Sequence, residues 1–212
     1  MPAAATALPR GTWVRRAVWL VAGTMAYNVA EALVALWAGV EAQSIALLGF
    51  GLDSVIELAA GAVVLWRMTV ELRGAAGEEV ERTERRVRRF VGVTFFALAA
   101  YVVAQAVKAL WQGTPSGGSL IGVALAVASL IVMPTVAWGK LRVARALASR
   151  ALAAEAKETL ACSYLSLCLL AGLGANLTLG WWWADPVGAL LMVPWLLREG
   201  VEGVRDEADA DG

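Results

Sequence analysis

Apolar residues along the chain come in long runs instead of stripes or alternations. Six runs stand out, at about residues 17–39, 44–66, 90–111, 119–139, 151–177 and 184–197. A helix needs roughly 20 apolar residues to cross a hydrocarbon core of about 30 Å, and all but the last run meet that length. The last is short before Arg198 and is expected to continue past it as helix, with the arginine reaching for the interface. The pattern predicts an all-α, polytopic membrane protein with six transmembrane helices. Charged residues are 17% of the chain, below the ~25% of soluble domains, and mean hydropathy is +0.65. The first run, "RRAVWLVAGTMAYN", has the flavour of a signal peptide, but it stays apolar to about Gly39 and reads as a retained span.

Formal net charge is zero, yet the basic residues are placed unevenly. Arg10, Arg15 and Arg16 precede span one, seven arginines from Arg67 to Arg89 lie between spans two and three, and Lys140, Arg142, Arg145 and Arg150 follow span four. Arg198 and Arg205 follow span six, whereas the turns near residues 40–43, 112–118 and 180–184 hold no Lys or Arg. The positive-inside rule then places both termini in the cytoplasm, in a bacterial-type plasma (inner) membrane. Trp37, Trp66, Trp111, Trp138 and Trp181–Trp183 fall at span ends, where an indole keeps its N–H wet. The domain reading is a cytoplasmic segment 1–16, a membrane domain 17–205 with a cytoplasmic loop at about 67–89, and an acidic, disordered tail 206–212, with no C-terminal soluble domain. The loop, dense in acids and arginines, reads as a solvated extension of span three, not a nucleic-acid patch.

Within the apolar runs the polar residues are few. Span two carries "SIALLGFGLDSVIE", in which Asp53 and Glu57 stand four apart on one helix face. A shift of 105 residues lays this segment on "SRALAAEAKETLAC" of span five. Ser44, Ala46 and Leu47 then match Ser149, Ala151 and Leu152, while Asp53 falls on Glu158 and Glu57 on Cys162. The two spans head in opposite directions, so the halves are expected to be two inverted three-helix repeats. Nine residues of helix from each matched serine advance about 13–14 Å, close to the midplane from either side. Asp53, Glu57, Glu158 and Cys162 are therefore expected to meet there, as in transporters built from inverted repeats.

A carboxylate at that depth costs about 2.5–3.5 kcal/mol, and three together repel one another. Protonation or a bound divalent cation relieves both problems. Three oxygens and one sulfur suit a four-coordinate transition metal, and metal arrival displaces protons from the same groups. That competition couples metal movement to proton movement. Asn28, Glu31 and Glu155 are candidates for supporting contacts or a proton relay, with a Glu31–Lys108 pair as one possible arrangement. Pro134 is expected to kink span four. Cys168 reads as apolar filler, and a disulfide to Cys162 is sterically excluded on one helix. Histidine is absent, and no catalytic pair with a cofactor motif is present, so the chain does not read as an enzyme and needs no cofactor.

These segments, together with "WWWADPVGALLMV" at the start of span six, resemble the transmembrane part of the cation diffusion facilitator (cation efflux) family over about residues 20–205. The resemblance implies export of a divalent metal, commonly zinc, in exchange for protons, by a homodimer. It implies ligands at Asp53 and Glu57 of span two and at Glu158 and Cys162 of span five. Glu57 and Cys162 stand where the family usually has Asp, and Glu158 where His or Asp is common, which leaves Fe2+, Mn2+, Co2+ and Cd2+ open beside Zn2+. The family's cytosolic metal-binding domain is expected to be missing, leaving a homodimer to form through membrane helices. The competing expectation is a non-transporting membrane subunit or scaffold.

Overall fold

The computed structural model describes residues 10–72 and 78–205, and the described residues are helical apart from short turns. The helices are α1 (Arg10–Ala42), α2 (Ile45–Leu72), α3 (Glu78–Gln112), α4 (Leu120–Leu147), α5 (Arg150–Leu179) and α6 (Ala184–Arg205). The acidic tail 206–212 lies outside the described residues. Helix continues well past the apolar runs: α1 begins inside the segment expected to precede the membrane, and α2 and α3 take up most of the expected loop at 67–89. Among the described residues, five helices are long and apolar enough to cross a bilayer. The sixth, α6, is 22 residues, about 33 Å at 1.5 Å per residue, with Arg198, Glu199, Glu202 and Arg205 in its second half.

Two groups of contacts define opposite ends of the bundle. At one end Ala17 and Val21 of α1, Val143 and Ala144 of α4 and Leu152 of α5 pack together, with Val64 and Met68 of α2 against them. Arg15 and Arg16 near the start of α1, Arg67 toward the end of α2, and Arg142 and Arg145 toward the end of α4 lie near this end, called the basic face below. At the other end the Gly117 N–H donates to the Ala42 carbonyl, and the Asn176 amide donates to Ser116. α6 starts at this second end, where Gly172 meets Ala184 and Gly188, and finishes at the basic face, where Gly203 meets Gly92 of α3. It thus runs the depth of the bundle. A Cβ on Gly188 would sit 2.9 Å from the Cys168 carbonyl oxygen, and one on Gly203 would sit 2.8 Å from the Gly92 Cα. Such backbone proximity requires glycine and is how membrane helices gain dispersion contacts without a hydrophobic drive.

The burial pattern is inverted relative to a water-soluble bundle. Trp19, Leu33, Trp37, Trp111, Ile131 and Trp138 are exposed, while Asn28, Glu31, Asp53, Glu57, Lys140 and Glu155 are buried. Apolar side chains face lipid, and ionisable ones face one another. Between these polar groups and the second end, Leu47, Phe50, Val102, Leu169, Leu173 and Met192 fill the interior.

The turns before α2 and α5 share their geometry at the 105-residue offset. Gln43 and Ala148 both adopt left-handed backbone, at φ 50° and 51°. Ser44 N–H donates to Gly39 and Ser149 N–H to Ala144, and each serine Oγ accepts from the amide three residues on. Each serine is a helix N-cap, and the matched Ser-x-Ala-Leu is the sequence trace of that cap.

Among the described residues, the α2 cap alone has a second layer. Ser44 Oγ donates to Asp185 Oδ1, and the Ile45 N–H donates to Asp185 Oδ2 at 2.8 Å. Asp185 is fully buried in the first turn of α6 and places a carboxylate at two helix N-termini, where the dipoles favour negative charge. Asp185→Ala leaves the Ile45 amide without this acceptor. It is expected to lower stability by about 1–3 kcal/mol in thermal unfolding, with Asp185→Asn recovering part of the loss.

Candidate metal-binding site

The centre of the site is built by two helices. Asp53 and Glu57 lie one turn apart on α2, and Cys162 faces them from α5. One carboxylate oxygen from each acid and the Cys162 Sγ lie within 4.8 Å of one another, and all three residues are buried. Donors around a tetrahedral zinc, at metal distances of about 2.0–2.3 Å, stand roughly 3.5 Å apart. Adjustment of about 1 Å therefore brings the trio onto one ion. Among the described residues, neither carboxylate oxygen of Glu57 has a hydrogen-bond partner, although Glu57 is only 6% exposed. A buried acid left so incompletely bonded by its own chain suits a cation.

Glu158, one turn before Cys162, is partly buried and lies outside the trio. It lines the small cavity that also contains Asp53, Glu57 and Cys162, together with Glu199 and Trp195 of α6. That cavity adjoins a vestibule of about 590 Å³ at the basic face, walled by Ala60, Val63 and Val64 of α2, the first half of α3, the start of α5 and the end of α6. Ala60, Phe95, Glu158 and Glu199 belong to both and form the neck between them. At the other end a cavity of about 240 Å³ is lined by Gln43, Gln105, Lys108 and Asp185 among others, and by none of the trio. The described conformation thus turns its cluster of acids toward the basic face.

Two supporting clusters flank the trio. On the α1 side, Glu31 accepts from Ser54 Oγ at 2.8 Å and is approached by the Cys162 thiol at 3.9 Å. Among the described residues, Glu31 Oε1, Asn28 Oδ1 and the Tyr27 hydroxyl are buried without hydrogen-bond partners. Glu31 does not pair with Lys108, because Lys108 lies near the opposite end, at the smaller cavity. On the α4 side, Lys140 is fully buried and donates to Glu155 and, at 2.9 Å, to Thr159. The loop assignment of Lys140 is therefore corrected: α4 runs through Pro134 and Lys140 to Leu147, and the ammonium turns inward because Glu155 on α5 gives it a partner.

The cation efflux transmembrane domain family matches residues 23–209, nearly the whole chain. The chain belongs to the cation efflux family. It is also 28% identical over 175 residues to an uncharacterized transporter of Synechocystis sp., an alignment covering 78% of this chain and 56% of the relative. The chain thus spans little more than half the length of that relative. For a cation efflux protein, Asp53, Glu57 and Cys162 are the residues that this structure gathers.

Four features of the site escaped the residue pattern. Asp185 was visible only as part of the segment opening span six. Ser54 shows no signal in sequence beyond lying one residue from Asp53. Lys140 looked like an ordinary flanking charge. Glu199 fell beyond the last apolar run, and only the continuation of α6 brings it back to the neck.

Proposed function

We propose that this cation efflux protein is a secondary transporter that exports a divalent transition-metal cation, zinc by default, from the cytoplasm in exchange for protons. The observation that carries the reading is the buried group of two carboxylates and one thiol, drawn from α2 and α5 within 4.8 Å. Asp53, Glu57 and Cys162 hold the cargo ion, and Glu158 supplies a fourth donor from the neck. Glu31 and Ser54 orient Cys162 and α2, and the Lys140–Glu155 ion pair ties α4 to α5 on the vestibule side. The basic face is cytoplasmic on the positive-inside argument, so the vestibule is the loading side. The related caps at Ser44 and Ser149 support two inverted repeats whose relative rocking exposes the site alternately.

Coupling follows from donor chemistry. Cys162 binds metal as thiolate and the acids bind as carboxylates, so each ion loaded releases protons, and protons reloaded from the far side displace the ion. Acidifying the loading side is therefore expected to weaken metal binding. The test is uptake by proteoliposomes across a panel of Zn2+, Cd2+, Co2+, Fe2+ and Mn2+, with and without a pH gradient. Gradient-driven flux of at least one ion, with proton movement the other way, is expected. Absence of flux for every ion would leave the chain a membrane scaffold.

The sulfur donor sets the preference among metals. Cys162→Ser replaces a soft donor by a hard one, and the ratio of Cd2+ to Mn2+ uptake is expected to fall by about 10-fold or more. An unchanged ratio would remove Cys162 from the ligand set.

A further inference from the structure

Polar oxygens stand unused between α1 and α4. Tyr27 and Asn28 lie four and three residues before Glu31, so the three share one face of α1. Ser129 of α4 comes up against both Glu31 and Tyr27. Asn28 and Glu31 are 1% exposed, and Ser129 is fully buried. Among the described residues, the Tyr27 hydroxyl, Asn28 Oδ1, Glu31 Oε1 and Ser129 Oγ have no hydrogen-bond partner. Glu31 uses its other oxygen, Oε2, for Ser54 and the Cys162 thiol, which leaves Oε1 for a ligand of its own. Pro134 also deprives the Leu130 carbonyl, next in the chain to Ser129, of its helical partner.

Water alone would fill these hydrogen bonds but not balance the charge. Glu31 lies within a membrane-spanning segment, and among the described residues no ion pair reaches it. Lys140, a buried ammonium, is held by Glu155 and Thr159. The donors around Glu31 Oε1 are oxygens, which suit a hard ion. One carboxylate among neutral oxygens balances a single positive charge, whereas a divalent ion would leave an excess.

We infer that Tyr27, Asn28, Glu31 and Ser129 form a binding site for a small monovalent cation, Na+, between α1 and α4. The site is separate from the cargo trio, because Glu31 is not among the donors gathered with Asp53, Glu57 and Cys162. The ion joins α1 to α4 and neutralises Glu31 beside the Cys162 thiol. Its binding does not depend on whether the protein moves a divalent cargo.

The test uses the full chain in detergent, free of divalent metal, with NaCl as the probe and choline chloride holding ionic strength constant. The unfolding temperature is expected to rise saturably with Na+ and to stay flat in choline. Ser129→Ala and Asn28→Leu leave Glu31 and the trio in place. Each is expected to raise the half-saturating Na+ concentration by about 10-fold or more, the scale of losing one contact to a charged group. Ser129→Thr, which keeps the hydroxyl, is expected to keep most of the affinity. Asp53→Asn is expected to keep it as well, because Asp53 does not touch the ion. Gel filtration checks that each variant is folded. Equal stabilisation by Na+ and choline overturns the site and leaves water in the cluster. Na+ stabilisation that ignores both Ser129→Ala and Asn28→Leu, or that vanishes in Asp53→Asn, places the ion elsewhere and overturns it too. Divalent flux does not enter the readout, so either result leaves the transport reading intact, and a failure of transport leaves the Na+ site standing.

Discussion

Asp53→Asn is expected to abolish metal transport without unfolding the protein, and the two effects should have opposite signs. Asparagine keeps the size of the side chain and one carbonyl oxygen, so packing between α2 and α5 is preserved. It removes one of the acids gathered with Glu57 and Cys162, and therefore removes repulsion and part of the cost of placing charge at mid-membrane, about 2.5–3.5 kcal/mol per carboxylate on insertion scales. Without metal, thermal unfolding of the variant should occur at or above the wild-type temperature. The functional loss should exceed the roughly 10–100-fold that follows from removing a contact behind a metal ligand, because here a ligand itself is lost. Zinc at 100 times its dissociation constant should stabilise the wild type by about 2.7 kcal/mol and leave the variant unmoved. Proteoliposome uptake and a thermal shift with and without zinc measure all three. A variant that still transports at the wild-type rate would take Asp53 out of the site.

Lys140→Met is expected to be the most destabilising single change in the bundle interior. Lys140 is fully buried, and its partner Glu155 is 3% exposed. Deleting the ammonium leaves a carboxylate in a medium that solvates it poorly, and among the described residues Glu155 Oε2 already lacks a partner. Breaking a buried pair from one side costs about 3–5 kcal/mol in soluble proteins. Hydrogen bonds between membrane helices average nearer 0.6 kcal/mol, so the size of the loss tells which term dominates. The uncompensated charge should dominate, since the neutral hydrogen-bond figure contains no ion desolvation. The double variant Lys140→Met with Glu155→Leu removes both charges and should recover most of the stability. Equilibrium unfolding in mixed detergent gives the cycle. A single variant within about 0.5 kcal/mol of wild type would show that Glu155 takes up a proton at little cost and that the pair contributes little to the fold.

The parts of the site that were legible beforehand are those that local spacing controls. Asp53 and Glu57 lie one helical turn apart wherever α2 sits, and the Ser-x-Ala-Leu repeats mark two helix starts because capping needs only a hydroxyl and the next turn of backbone. Their match at an offset of 105 residues put Cys162 opposite the acids, and the structure places its sulfur beside theirs. Glu158 shows where spacing stops being sufficient. One turn from Cys162 is close along the helix, but helix rotation turns Glu158 toward α6 and the neck instead of into the trio. Lys140 was misjudged for a related reason. A lysine near the end of an apolar run can reach water or reach inward, and only Glu155 on a different helix decides between them.

By itself, the sequence determined that the chain is an all-helical membrane protein, which serines open α2 and α5, and which acids share a face, because length, hydropathy and a 3.6-residue period act within one segment. Tertiary structure alone decided that Asp185 caps α2 from α6, that Lys140 is an interior charge, and that Glu199 reaches the neck beside Glu158. Each of these depends on how one helix is rotated and set in depth against another. In lipid that choice comes from close backbone approach at glycine and from pairing of buried polar groups, and neither leaves a period along the chain.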